Sequence, residues 1–397
     1  MQPFAAIVGT EYVQPPSAPT FGGAKLEAVV RPGSAEEVAA CLGAARSEGI
    51  PVIATGGGSK LHWGNPPDVG ALALLDLGRL NAAPELQPEE GIATAEAGVR
   101  VDALARAAAE RGSCTSLADI FPQATVGGTI AADPPSPTHS VERRARNDLL
   151  GLEVALPTGE LTRAGGKVVK NVTGFDLVRL YCGSLGTLGV ITSATLRLRS
   201  LPGARRVLRR DFDELSAALS AATELMQTPL ELAGVALEPG SEGWGLVWLL
   251  EGGETSVAEF AGRFAGDPAS DEDWRAVGRE IGESERVNGH ARVRLGARPS
   301  DTRSLCQQLQ RLAGDRSLRV VLPRAGLAFA DVPAEALPEL WRETESRGWS
   351  LFLEHLPVGL EYDVFGPEPA GLPVMRALKH RFDPDRVLAP GRYVGRI

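Results

Sequence analysis

The sequence predicts an α+β protein in which an α/β first part is followed by an antiparallel α/β second part. Helical and strand patterns alternate from residue 34 to residue 112, the signature of α/β layering. From Arg205 the order changes to strand, helix, strand, strand, helix, which suits an antiparallel sheet with helices on one face, as in ferredoxin-like domains. The 397 residues, 43% apolar and 23% charged, suit a globular chain of about two domains with a large core.

The elements follow in order. The first 25 residues carry four prolines and little periodicity, and read as an arm. A helix opens at Ser34, where Ser-x-x-Glu spacing lets Ser34 cap the amide of Glu37 while Glu37 reaches back to the Ser34 amide. Val38, Cys41, Leu42 and Ala45 line one face, and Gly49 ends the helix. Strands are expected at 51–54, 71–77 and 92–97, then a helix at 101–111 stopped by Gly112. Residues 149–156 and 160–163 flank Pro157-Thr158-Gly159 as a hairpin. A short helix follows from about Thr173, with Asp176 near its start, then a strand over 190–198. Leu201-Pro202-Gly203 marks a boundary.

Beyond it, strands are expected at 206–210, 230–237 and 245–250, with helices at 214–226 and 256–264. Further strands are placed at 292–295, 319–322 and 351–353. A last helix over 372–382 carries Val374, Met375, Leu378 and Phe382 on one face.

Composition narrows the function. Forty-one basic and 50 acidic residues give a net charge of −9, which argues against non-specific nucleic-acid binding. The longest uncharged runs, such as 120–132, are too short and too polar for a transmembrane segment. The N-terminus lacks a basic stretch followed by an apolar one, so the expected location is cytoplasmic. Cys41, Cys114, Cys182 and Cys306 form no CxxC pair and read as buried small side chains, with no metal site expected. Glycine, at 46 residues, stands well above the usual share of about 7%.

The glycines gather in three segments beside predicted strands. These are Thr55-Gly56-Gly57-Gly58-Ser59-Lys60, Thr125-Val126-Gly127-Gly128-Thr129, and Gly183-Ser184-Leu185-Gly186-Thr187-Leu188-Gly189. Without a Cβ, successive amides can approach a phosphate or a flat ring, which suits a dinucleotide. A Rossmann site is disfavoured because GxGxxG is missing from the first loop, and a nucleoside-triphosphate loop because Gly-Lys-Ser/Thr is missing.

In this order, and with Gly151-Leu152-Glu153-Val154 and Pro157-Thr158-Gly159-Glu160 between the second and third segments, the chain resembles the FAD-binding domain of the vanillyl-alcohol oxidase, or PCMH-type, superfamily. Lys170-Asn171-Val172-Thr173-Gly174-Phe175-Asp176-Leu177 leading into the third segment is similar to the FAD-binding E chain of glycolate oxidase. So are Phe382-Asp383-Pro384 and Leu388-Ala389-Pro390-Gly391-Arg392 near the end. The resemblance implies an N-terminal arm at 1–25, a PCMH-type FAD-binding domain of two α/β subdomains at 26–202, an antiparallel α/β cap domain at 203–370, and a C-terminal helix and tail at 371–397 returning to the FAD domain.

It also implies residue roles. Thr55, Gly56, Gly57, Gly58, Ser59 and Lys60 would wrap the FAD pyrophosphate. Thr125, Val126, Gly127, Gly128 and Thr129 would run beside pyrophosphate and flavin, and Gly186, Gly189, Val190 and Ile191 would hold the ribityl or adenine end. Relatives with covalent FAD carry a histidine where Ser59 stands, so non-covalent FAD is implied. The chain departs from the pattern at Asp133-Pro134-Pro135-Ser136-Pro137, at Leu185 in place of Glu, and at Ala389 in place of Asn.

The implied activity is oxidation of a small 2-hydroxy acid by hydride transfer to FAD. Implied partners are a second FAD subunit and an iron-sulfur subunit, which would also bring the chain to the inner membrane. Such chemistry needs a base for the hydroxyl proton and a cation for the carboxylate. The base candidates are His139 and His355. Arg292 and Arg294, with Arg298, could offer a guanidinium fork to the carboxylate, but their alternation reads first as a solvated strand face. Arg143, Arg144 and Arg146 would stabilise an anionic flavin or cover the surface. The His-rich Gly-Asp-Gly segment of catalytic relatives is missing, which leaves open a non-catalytic structural or regulatory subunit that keeps the flavoprotein fold. A free-standing FAD oxidase acting on another alcohol fits the first domain but not the tail.

Overall fold

The computed structural model describes residues 2–117, 119–138, 144–167, 175–227, 232–282, 287–314 and 316–397. The chain forms two compact units. One comprises Met1–Pro134, Ala145–Leu201 and Glu368–Ile397; the other comprises Pro135–Arg144 and Pro202–Pro367.

The first unit contains two principal sheets. In one, strands Ala24–Val30, Ala71–Asp76 and Val52–Thr55 run parallel in that order, and Val13–Gln14 and Thr20–Phe21 pair antiparallel with Ala24–Val30. Alternation fixes the register: Ala24, Leu26, Ala28 and Val30 are buried, whereas Lys25 and Glu27 are exposed. Helix Ala35–Glu48 crosses between these strands. Ser34 Oγ accepts from the Glu37 amide at 3.2 Å, as expected, but the Glu37 carboxylate accepts from Gly33 N, at 2.6 Å, not from Ser34 N. Gly49 closes the helix at φ 65°. The second sheet is antiparallel throughout, in the order Leu161–Gly165, Leu149–Ala155, Val190–Arg197, Ile92–Glu96, Glu85–Gln87.

Two expectations are corrected here. The first 25 residues are not an unstructured arm: helix Gln2–Val8 buries Phe4 and Val8, and two short strands join the parallel sheet. The second glycine segment is not a loop, because Thr125 caps helix Val126–Ala132. Its cap contact, Gly128 N to Thr125 Oγ1 at 3.4 Å, places Gly127 and Gly128 in the first turn.

The C-terminal residues complete the parallel sheet. After helix Leu372–Phe382 the chain runs beside Val52, whose amide donates to Val387 O at 2.7 Å and whose carbonyl accepts from Ala389 N at 2.8 Å. Ala389 packs with Ala24, Leu26, Ile53 and Leu72.

The second unit is built on an eight-stranded antiparallel sheet, ordered Asp267–Ala269, Ala204–Phe212, Trp244–Gly252, Leu232–Pro239, Leu318–Leu322, Leu327–Pro333, His290–Gly296, Ser350–His355. Its core includes Val247, Leu249, Val293, Val320, Ala328 and Phe329, all fully buried. The strand pattern predicts most of these segments. It misses strands Asp267–Ala269 and Leu327–Pro333 and helices Asp271–Gly282, Thr302–Ala313 and Leu337–Arg347.

Candidate cofactor-binding site

Two adjoining clefts lie within the first unit and share Ala54, Thr55, Gly56, Thr125, Gly128, Ala131 and Leu185. One is walled by Gly57, Gly58, Ser59, Lys60 and Arg392, and the other by Gly127, Gly186, Gly189, Val190 and Ile191. The structure thus brings the three glycine segments together. Val126 and Thr129 are fully buried and line neither cleft.

The first loop requires glycine because it lies against residues 123–125. A Cβ on Gly56 would lie 2.1 Å from Thr125 Oγ1, and one on Gly57 would lie 1.6 Å from Gln123 O. Gly58 instead adopts φ 73° beside open space. Among the described residues, the amides of Gly56, Gly57, Gly58, Ser59 and Lys60 have no protein acceptor. Consecutive unsatisfied amides make a concavity for an anion.

Lys60 adds charge. It is 8% exposed, its Nζ donates to Ser59 Oγ at 3.1 Å, and it lies 4.3 Å from the centre of the Phe121 ring. Among the described residues no carboxylate pairs with it, and burial pulls its pKa down from 10.5 to about 8. Arg392, also buried, donates to the carbonyl oxygens of Leu61, Trp63 and Asn65. Burial lowers its pKa to about 10. Two cations without acidic partners among the described residues therefore line one cleft. Arg392 belongs to the tail motif but was not expected in the site; its role depends on contacts more than 300 residues apart.

The other candidates are placed elsewhere. His139, Arg143 and the segment 170–174 lie outside the described residues. Arg146 bonds Asp133 at 3.0 Å and reaches Cys182 O. Arg144 belongs to the second unit. In that unit, Arg292 is 4% exposed; its guanidinium lies 3.4 Å from Asp331 Oδ1 and donates to Glu280 O. Arg294 lies 3.7 Å from Glu354 Oε1 and over the Phe352 ring. The strand face they share is buried and charge-paired, not solvated. His355 ends the neighbouring strand, opposite Arg292. Burial raises the Glu354 pKa, against the lowering effect of Arg294 and Arg292.

The four cysteines are free, and among the described residues no group of His, Cys, Asp or Glu could hold a metal. No described helix is long and apolar enough to cross a membrane.

These features define the class of domain. Residues 26–165 match the FAD binding domain family, and the chain has the PCMH-type FAD-binding fold. It superposes on 4-ethylphenol oxidase from Gulosibacter chungangensis with a TM-score of 0.73 at 17% identity, covering 98% of this chain and 95% of the other. In sequence it is 33% identical over 212 residues to an uncharacterised FAD-linked oxidoreductase of Mycobacterium tuberculosis, covering 53% of this chain and 44% of that protein. It is 30% identical over 235 residues to glycolate oxidase subunit GlcE of Escherichia coli, covering 58% and 64%. The chain spans about half the length of the curated relatives it matches.

Proposed function

We propose that this chain is an FAD-dependent oxidoreductase subunit that oxidises a small 2-hydroxy acid within a glycolate-oxidase-type complex, beside a second FAD subunit and an iron-sulfur subunit. The observation that carries the reading is the cationic cleft. Five amides without acceptors and a buried ammonium without a carboxylate, among the described residues, complement the two negative charges of a pyrophosphate. Similarity to a glycolate oxidase subunit supports the substrate class and the partners.

In this reading the amides of Gly56, Gly57, Gly58, Ser59 and Lys60, together with Lys60 Nζ, hold the pyrophosphate. Gly127 and Gly128 give close approach, and Gly186, Gly189, Val190 and Ile191 receive the ribityl or adenine end. A serine hydroxyl at Ser59 leaves the FAD non-covalent. Bound FAD supplies the hydride acceptor for a substrate CH–OH group. Arg294, with 18% of its side chain exposed, is the candidate for the substrate carboxylate, and His139 or His355 for the base.

A second reading is a non-catalytic structural or regulatory subunit. It is favoured by the carboxylates that already face the candidate arginines, Asp331 at Arg292 and Glu354 at Arg294.

The test is the visible spectrum of the purified full chain before and after denaturation, followed by anaerobic addition of glycolate and D-lactate with its partners present. About one releasable FAD per chain, bleached by either acid, is expected. A colourless protein that cannot be reconstituted would overturn the reading. Bound flavin that neither acid bleaches would favour the second.

A further inference from the structure

The C-terminal helix and the residue that caps it carry a buried ion pair whose partners lie beside cleft-lining segments without lining the cleft. Lys379, 6% exposed, directs its three donors to Asp383 Oδ2 at 2.6 Å, Leu388 O at 2.7 Å and Thr187 O at 2.9 Å. Asp383, fully buried, accepts in addition from Val387 N at 2.9 Å and Leu388 N at 2.8 Å. Thr187 lies within the third glycine segment, between Gly186 and Gly189. Leu388 lies beside Val52, three residues before the first glycine loop begins. One ammonium therefore ties the segment at 183–189 to the tail residues that pair with Val52, in the strand that feeds residues 55–60.

We propose that Lys379 and Asp383 form a positioning pair that fixes the two glycine loops relative to one another, so that FAD affinity depends on an ion pair outside the cofactor's reach. The dependence on FAD rests on the function proposed above; the positioning itself does not. The third segment is also anchored at its two ends, downstream where it runs into strand Val190–Arg197, paired with Leu149–Ala155, and upstream by hydrogen bonds to helix Val126–Ala132. Gly183 N donates to Ile130 O at 3.0 Å and Leu185 N to Ala131 O at 2.8 Å, both upstream of Thr187. Between these anchors, the pair holds Thr187 to the tail. An edge-to-face contact between Tyr181 and Phe382, 5.9 Å between ring centres, adds apolar packing at the same junction. A test must therefore separate the charge from the packing.

Three full-length variants do so: Lys379→Met, Asp383→Asn and the double variant Lys379→Met/Asp383→Leu, which replaces the pair by apolar groups of similar size. Hydrogen exchange on flavin-free protein and FAD titration by fluorescence quenching are the readouts. In Lys379→Met the amides of 183–189 are expected to exchange at least tenfold faster, with 246–250 in the second unit unchanged, and the FAD Kd to rise at least tenfold. The double variant removes both buried charges yet should keep the fast exchange and weak binding, because nothing then holds the Thr187 carbonyl. Asp383→Asn should move the same readouts in the same direction by a smaller factor, and decides the matter if Lys379→Met does not fold. Wild-type exchange and affinity in either folded variant, or their recovery in the double variant, would overturn the proposal. If the wild-type chain binds no FAD, the function above fails, and the exchange readout alone judges the positioning.

Discussion

Lys60 and Lys379 are buried alike, at 8% and 6% exposure, and burial lowers the pKa of each, but their surroundings differ. Lys379 is enclosed by a carboxylate and two carbonyls. Lys60 has one hydroxyl and a ring face. The comparison separates a cation that serves the fold from one suited to a ligand. A buried charge with complete partners is a fixed element of structure, and one with incomplete partners costs stability that an arriving anion, or loss of the proton, restores.

The largest effect expected from this contrast is on Asp383. Its removal by Asp383→Ala leaves the Lys379 ammonium and the amides of Val387 and Leu388 without their acceptor, and should lower stability by about 3–5 kcal/mol in chemical denaturation. A loss below about 1 kcal/mol would mean that Lys379 is solvated and the contrast is false.

Lys60→Met should do the reverse to the flavin-free protein, raising its stability by about 1–3 kcal/mol, because an uncompensated charge is removed. The same variant should weaken FAD binding by ~10–100-fold, the worth of a charge-assisted hydrogen bond. The pH dependence sharpens this. The folded-state pKa of Lys60, about 8, lies below the ordinary lysine value of 10.5. Between those values the unfolded chain binds more protons, so flavin-free stability rises with pH across that window, by at most ~3 kcal/mol. FAD affinity should fall as pH climbs through about 8, where the ammonium is lost. Titrations at several pH values, flat in Lys60→Met and sloping in wild type, would establish Lys60 as the group responsible.

The smallest effect is expected at Arg386, whose like charge adds to burial in lowering the Lys379 pKa but whose side chain is 54% exposed. Arg386→Gln should change stability by less than about 0.5 kcal/mol. A larger change would show that the pair depends on its surface neighbour.

What could be read from the sequence divides along the same line. Helix Ala35–Glu48 was legible because a cap, an apolar stripe and a terminal glycine all lie within it. The hairpin of Leu149–Ala155 and Leu161–Gly165 was legible from its turn. The first glycine loop announced itself, since four of its residues are Gly or Ser. Helix Thr302–Ala313 was missed although Leu305, Cys306, Leu309 and Leu312 repeat at helical spacing among polar residues, a signal that was present in the sequence. Helix Gln2–Val8 is too short for periodicity to show. The tail motif was recognisable as a segment, but no local rule could say that Asp383 would meet Lys379 or that Arg392 would face the cleft. The buried strand face of Arg292 and Arg294 was misjudged for the same reason, since Asp331, Glu280 and Glu354 are brought to it by other elements.

The pairing of the tail with Val52 has a consequence for how the molecule is made. Arg392 meets the carbonyl of Leu61 across 331 residues of chain, and Ala389 joins the sheet at Val52 over a similar span. During synthesis the second unit's sheet, from Ala204 to His355, can emerge and fold while that edge of the parallel sheet still waits for its last strand. The wall around Lys60 is therefore completed by residues that follow the second unit in the chain, Leu388 to Arg392. A chain lacking the residues from 387 onward would keep every strand of the second unit's sheet and, in the first, have a cleft with one wall missing.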